Sequence, residues 1–329
     1  MPPPAGPDHG RPLLVLCGIK PGNPPLGATM VTVDCHQYIG LTPSQVPKWW
    51  MEEMYLPYGG TGVSRYGQDI VDMIDDAGID IAIVQGGDIR RTTSHPDHPG
   101  DHGVYIPNEW IAQEVAKHPG RLLGQVAVDP LRDPQDALAE TEYFIKEHGF
   151  VALALKTAYH DHAINDRRVY PFYEKCIELD VPVDLFTGWT PIINAPMKYS
   201  NPILLDDVGR ELRDLKVVFY LAFPWIDEGI AVAARHPNFY MDLAWFGGGS
   251  AEQLYDALLK IKDFGAIDRA LYGSDGNDKI RIGKNVATVP ELFRAVNEVA
   301  ERRGTAEISD DEMEAIMGGT ANRLYKLGL

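Results

Sequence analysis

The sequence predicts an α/β protein, a (β/α)8 TIM barrel, on three observations. Eight short β-branched or apolar runs recur along the chain, and helix-like patterns separate them. Eight such units favour a closed barrel over an open, doubly wound sheet. No GxGxxG turn follows the first run, so a dinucleotide fold lacks its fingerprint. The 329 residues, 45% of them hydrophobic, accommodate the roughly 250 that such a barrel needs.

Residues 1–29 are rich in proline and glycine ("PPPAGP", "KPGNPP") and read as an extension, leaving 30–329 as one barrel domain. The strands are expected at 31–36, 79–85, 122–128, 151–157, 181–187, 216–223, 239–245 and 269–274. Each is a short apolar or β-branched run of the kind that a sheet buried on both faces requires. Helices are expected at 66–77, 107–118, 133–148, 170–179, 226–236 and 251–264, where apolar residues recur with helical spacing. Residues 289–302 supply the last barrel helix and 309–318 a closing one. The connections after the first, second and fifth strands (37–64, 86–106 and 188–203) are long. They stand at the C-terminal strand ends, where such barrels carry their chemistry.

The formal charge of −17 repels phosphate backbones and anionic headgroups, so neither nucleic acid nor a membrane is an expected partner. Cys17, Cys35 and Cys176 form no CxxC pair, which fits a reducing compartment. No apolar run approaches the ~20 residues of a membrane span, and the expected location is the cytoplasm. The expected partner is a small-molecule substrate, with a homo-oligomer as a further candidate.

"MVTVDCHQYIG" opens the barrel, and plain strand alternation would put Asp34, His36 and Tyr38 on one face. Further along come "NEWIAQEVAKHPGRLLGQVAVDP", "DRRVYPFYEKCIELDVPVDLFTG", "PILLDDVGRELRDLKVVFYLAFPWIDEGIAVAARHPNFYMDLAW", "DRALYGSD" and "MGGTANRLYKL". In this order the segments resemble the amidohydrolase-related family, in its branch of aminocarboxymuconate-semialdehyde-decarboxylase-like TIM barrels. The resemblance runs from about Met30 to Leu329. It implies a divalent metal (zinc, iron or manganese) and no nucleotide cofactor. The implied ligands are HxH on strand one, a His at each of strands five and six, and an Asp at strand eight. Here only His36 and Asp275 stand in that pattern. Tyr38 replaces the second His of HxH, Phe186 replaces the strand-five His in "FTG", and the strand-six stretch is shortened to "LAFPW" with Phe223. A catalytic metal normally has at least three protein ligands, so the expected site is remodelled or lost.

His160 and His162 in "YHDH" are candidate replacement ligands, as are His95, His98 and His102 in "SHPDHPGDH". His36 and Asp275 can exchange protons near neutral pH without metal, and Tyr38 can donate to a developing oxyanion. Lys156, ending the fourth strand, can bind an anion or act as an amine nucleophile if burial lowers its pKa. Asp184 shares a face with Phe186 and is expected to be structural. Phe186, Phe223, Trp189 and Trp225 would make the barrel mouth apolar and suited to a hydrophobic or ring-bearing ligand. Three functions follow. The first is hydrolysis of an ester, thioester, amide or lactone of an apolar molecule. The second is decarboxylation of an aromatic or unsaturated acid, with Arg90 or Arg91 as further carboxylate anchors. The third is a non-catalytic binder.

Overall fold

A computed structural model describes residues 31–42, 44–54, 65–89, 103–276 and 289–329. The extension read at 1–29, and Arg90, Arg91, His95, His98 and His102, lie outside these described residues. The strands form where the apolar runs stand. They are β1 (Val33–Tyr38), β2 (Ile81–Gln85), β3 (Leu122–Ala127), β4 (Ala152–Leu155), β5 (Val183–Leu185), β6 (Val217–Tyr220), β7 (Phe239–Asp242) and β8 (Ala270–Leu271). All ladders are parallel, in the order β1 to β8. The last strand returns to the first through the Cys35 amide, which donates to the Tyr272 carbonyl at 3.0 Å.

The helices are α1 (Lys48–Met54), α2 (Gly67–Ala77), α3 (Asn108–Ala116), α4 (Pro134–His148), α5 (Tyr170–Leu179), α6 (Leu205–Glu211), α7 (Ile226–Arg235), α8 (Ala251–Asp263), α9 (Val289–Arg294), α10 (Val296–Arg303), α11 (Asp310–Glu314) and α12 (Thr320–Tyr325). Two of them, α1 and α6, fall in stretches where the sequence reading placed no helix. The helix α1 forms inside the long connection after β1 because Trp49 and Trp50 both bury against the core. The closing helix is longer than expected and interrupted by a π turn at Ala315–Gly319. A Cβ at Gly318 would lie 2.0 Å from the Val31 carbonyl, so only glycine lets this helix lie against the start of the barrel. Beyond the turn, Leu324 and Tyr325 of α12 pack on Val33, Cys35, Ile83 and Val218. This cluster fills the barrel where its strands begin, and each large apolar side chain so buried contributes roughly 1.5–3 kcal/mol. No helix among the described residues is long and apolar enough to cross a membrane.

Simple alternation fails in β1. Asp34 is in register with Ala82 and Gln37 with Val84, so three steps along β1 oppose two along β2. The extra residue is a β-bulge, which reverses the facing of everything before it. Val33 and Cys35 therefore face the interior cluster, and after the bulge so do His36 and Tyr38. Asp34 is turned away from His36 and does not share its face. There it accepts from the Ser274 amide at 3.0 Å, the Ser274 hydroxyl at 2.5 Å, the His36 amide at 3.1 Å and Gln37 Nε2 at 2.7 Å.

At the outer edge, Asp180 caps α5 and is held by Lys216 at 2.6 Å and by Lys326 beyond α12. These two lysines pull its carboxyl down to about 2, below the unfolded value of about 3.9. A depressed carboxylate pKa contributes stability above the unfolded value, and that stability is lost as pH falls through the folded one. Asp180 is 47% exposed, so solvent screening limits the effect to about 0.5 kcal/mol. Asp180→Asn is expected to unfold slightly more easily than the parent chain at pH 7, with the difference vanishing near pH 2. Denaturant midpoints across that range measure it.

Candidate active site

The loops that leave the C-terminal strand ends surround a cavity of about 120 Å³, open on one side. Its walls are aromatic and aliphatic: Trp50 from α1, Tyr159 after β4, Phe186 and Trp189 after β5, Trp245 after β7, and Ile89 with Ile106 after β2. Tyr159 links the wall, with ring centres 5.2 Å from Trp50 and 5.1 Å from Phe186. Among the described residues, Lys156 and Asp275 are the charged side chains that line this space.

Beneath the floor stands His36, 2% exposed, against Tyr38, Tyr220 and Asp275 of the lining. Its Nδ1 is bonded to Oδ2 of Asp242, at the end of β7, and the other oxygen of Asp242 accepts from the Ala244 amide at 2.9 Å. Its Nε2 has no hydrogen-bond partner and lies 3.6 Å from Oδ1 of Asp275. The second oxygen of Asp275 accepts from the Tyr220 hydroxyl at 3.2 Å. The rings of Tyr38 and Tyr220 each lie 5.1 Å from the imidazole. Burial works to lower the His36 pKa, but Asp242, by charge and hydrogen bond, and then Asp275 outweigh it. The net shift is upward. The shift favours the protonated imidazole, and Nε2 is the ring atom turned toward Asp275.

The seat is tight. A Cβ on Gly273 would stand 2.5 Å from Asp242 Oδ1 and 3.1 Å from His36 Cβ, so glycine is required where the chain leaves β8. Asp275 follows in the left-handed region (φ 62°), a conformation few side chains other than Asn and Asp adopt readily.

Lys156 rises from the end of β4 and is 4% exposed. Its Nζ donates to the amide oxygen of Gln85 and lies 5.2 Å from the centre of the Tyr38 ring. Burial lowers its pKa, with Asp184, Asp275 and Asp242 opposing. Asp184 does face inward: Gln125 Nε2 donates to it at 3.1 Å, and burial raises its pKa.

The structure gathers Asp275, Tyr38 and Lys156 at the floor with His36 beneath them, and Phe186 and Trp189 in the wall. Other expected positions differ. Phe223 is 54% exposed, stacked on Trp245 outside the cavity, and half-buried Trp225 begins α7, away from the lining. The inward residue of β6 is Tyr220. Val218 points into the barrel, so two-residue periodicity identifies Tyr220 and would have found it from sequence. Asp242 was likewise legible as a carboxylate ending a buried strand, yet no motif singles it out.

His160 and His162 do not join His36. Both are buried with rings stacked 5.9 Å apart. His160 Nε2 donates to the Asp88 carbonyl at 2.8 Å, and His162 Nδ1 to the Ala163 carbonyl at 3.0 Å. Burial pushes His160 down to about 4, which fits a neutral ring used in packing. Among the described residues no three His, Cys, Asp or Glu side chains form a group able to hold a metal ion. The donors that would complete a set around His36 and Asp275 are replaced by rings, Tyr38, Phe186 and Tyr220. Among the described residues the donor set does not fit a catalytic divalent metal.

Comparison with known proteins agrees with this architecture. The family model described as amidohydrolase matches residues 73–327. The 2-keto-4-carboxy-3-hexenedioate hydratase of Sphingobium sp. (strain NBRC 103272 / SYK-6) is 27% identical over 336 residues, 90% of this chain and 96% of that protein. The gamma-resorcylate decarboxylase of Polaromonas sp. (strain JS666 / ATCC BAA-500) is 35% identical over 270 residues, 67% of this chain and 75% of that one. Among solved structures, a dihydroxybenzoic acid decarboxylase from Polaromonas sp. JS666, with manganese and 2-nitroresorcinol bound, superposes with a TM-score of 0.61. It is 19% identical and covers 92% of this chain and 98% of its own, a likeness of fold.

Proposed function

The chain belongs to the amidohydrolase family, and from that premise we propose that it is a carboxy-lyase, removing CO2 from a small, largely apolar carboxylic acid without a metal. One observation carries this reading. His36 stands between Asp242 and Asp275, beneath an aromatic cavity lined by Asp275 and the Lys156 amine.

Decarboxylation leaves an electron pair on carbon, and that carbon must then take a proton. His36 Nε2 is the donor. Asp242 fixes the ring through Nδ1 and stabilises its charged form before transfer, the role of the oriented carboxylate behind an acid–base histidine. Lys156 meets the oxygen-bearing end of the substrate. The apolar walls favour loss of the carboxylate's charge as neutral CO2, because an ion in such surroundings has lost its water without equal compensation. A gamma-resorcylate decarboxylase among the relatives supports the reaction class.

Hydration or hydrolysis is the second reading, favoured by Asp275, whose carboxylate beside His36 is placed to take a proton from water. A relative named as a hydratase supports it.

The two separate in D2O. With 2,6-dihydroxybenzoate, cinnamate and benzoylacetate as probes, the expected result is CO2 release with one solvent deuterium on the vacated carbon. Release of an alcohol or acid from ester and lactone probes, with no CO2, would overturn the carboxy-lyase. Exhaustive chelation is expected to change the rate by less than about twofold, since fewer than three donors hold a divalent ion weakly. A loss restored by added manganese or zinc would sink the metal-independent reading.

A further inference from the structure

We propose that Lys156 is a covalent catalyst, forming an imine with the ketone of a β-keto acid that carries an apolar or aromatic substituent. This rests on the carboxy-lyase reading and names its substrate class. Lys156 is the buried lysine among the described residues. Its ammonium would need a counter-charge at that depth, yet it forms no ion pair among the described residues, and its hydrogen bond goes to a neutral amide oxygen, that of Gln85. Burial favours the uncharged amine, and Asp184, Asp242 and Asp275 are close enough only to moderate that preference. A desolvated amine lining an apolar cavity is a nucleophile toward carbonyl carbon. The charge of Lys156 acts on His36, so the amine and the acid that would protonate the enamine carbon stand near one another.

The step balances without an oxidant or reductant. Nζ adds to the ketone carbon, and the ketone oxygen departs as water with one amine hydrogen and one proton from solvent, leaving a protonated imine. The bond to the carboxylate then breaks. Its electron pair becomes the enamine double bond, while the imine π pair moves to nitrogen and CO2 departs. The enamine carbon takes a proton from His36, which restores the protonated imine. Water adds to that imine and releases the ketone, the free amine and a proton, which returns to His36.

Reductive trapping on the wild-type chain tests this, so no variant has to fold. Benzaldehyde and cyanoborohydride are added at neutral pH, and the modified lysines are mapped by peptide mass spectrometry. Lys156 is expected to be labelled about tenfold or more faster than the exposed lysines. Labelling of exposed lysines with Lys156 unmodified would overturn the proposal. In a second arm, Lys156→Arg keeps a cation at the floor but removes the nucleophile, and is expected to abolish CO2 release from benzoylacetate. CO2 release by the parent chain with Lys156 unlabelled overturns the covalent step and leaves the carboxy-lyase standing. Labelling of Lys156 in a chain that releases no CO2 from any probe overturns the carboxy-lyase and leaves the reactive amine.

Discussion

Asp242→Asn is expected to lower kcat roughly 10²- to 10⁴-fold, the range spanned by general acid–base catalysis, with little change in KM. Asp242 is buried and does not line the cavity. It acts through His36, whose Nδ1 it engages while its other oxygen is fixed by the Ala244 amide. The asparagine keeps the size and loses the charge. A purely structural role would lower activity uniformly with pH. The positioning role makes a different forecast. Asp242 raises the His36 pKa, and an acid loses its proton as pH rises through its pKa. In the variant the fall in rate at high pH must therefore begin at a lower pH than in the parent chain. The kcat profile reads this directly, and a profile of unchanged shape would refute the assignment.

Asp34→Ala is expected to destabilise the fold by about 3 kcal/mol, because four buried donors lose an acceptor and each stranded donor costs about 1–3 kcal/mol before relaxation. The donors are the Ser274 amide and hydroxyl, the His36 amide and Gln37 Nε2. They join β1 to the segment that leaves β8, at the seam where no ladder runs. The loss should appear in denaturant unfolding. If Asp34→Ala unfolds like the parent chain, the clamp is not what holds the seam.

These two aspartates mark what the sequence disclosed. The eight strands were legible because a parallel strand buried on both faces must be continuously apolar, and such runs cannot be mistaken for solvent-facing segments. Asp34 was misplaced because one inserted residue is invisible to a period-two rule: nothing in "VDCHQY" announces a bulge. Tyr220 was missed in favour of Phe223, since attention to a shortened motif overrode parity counted from Val218. Trp49 and Trp50 made a helix inside a stretch read as loop, because burial of two indoles outweighs weak local periodicity. His160 and His162 were expected as replacement ligands, and among the described residues they stack on one another apart from His36, each bonded to a backbone carbonyl.

The composition of the cavity has one more consequence. Among the described residues its floor offers a single basic side chain beside a single carboxylate, under walls of indole, phenyl and branched alkyl groups. A ligand bearing several ionised groups would have to surrender their water without matching cations among the described residues, at a cost of several kcal/mol. On the proposed reading, acids with one carboxylate are therefore expected to be turned over faster than polyacids built on the same carbon skeleton.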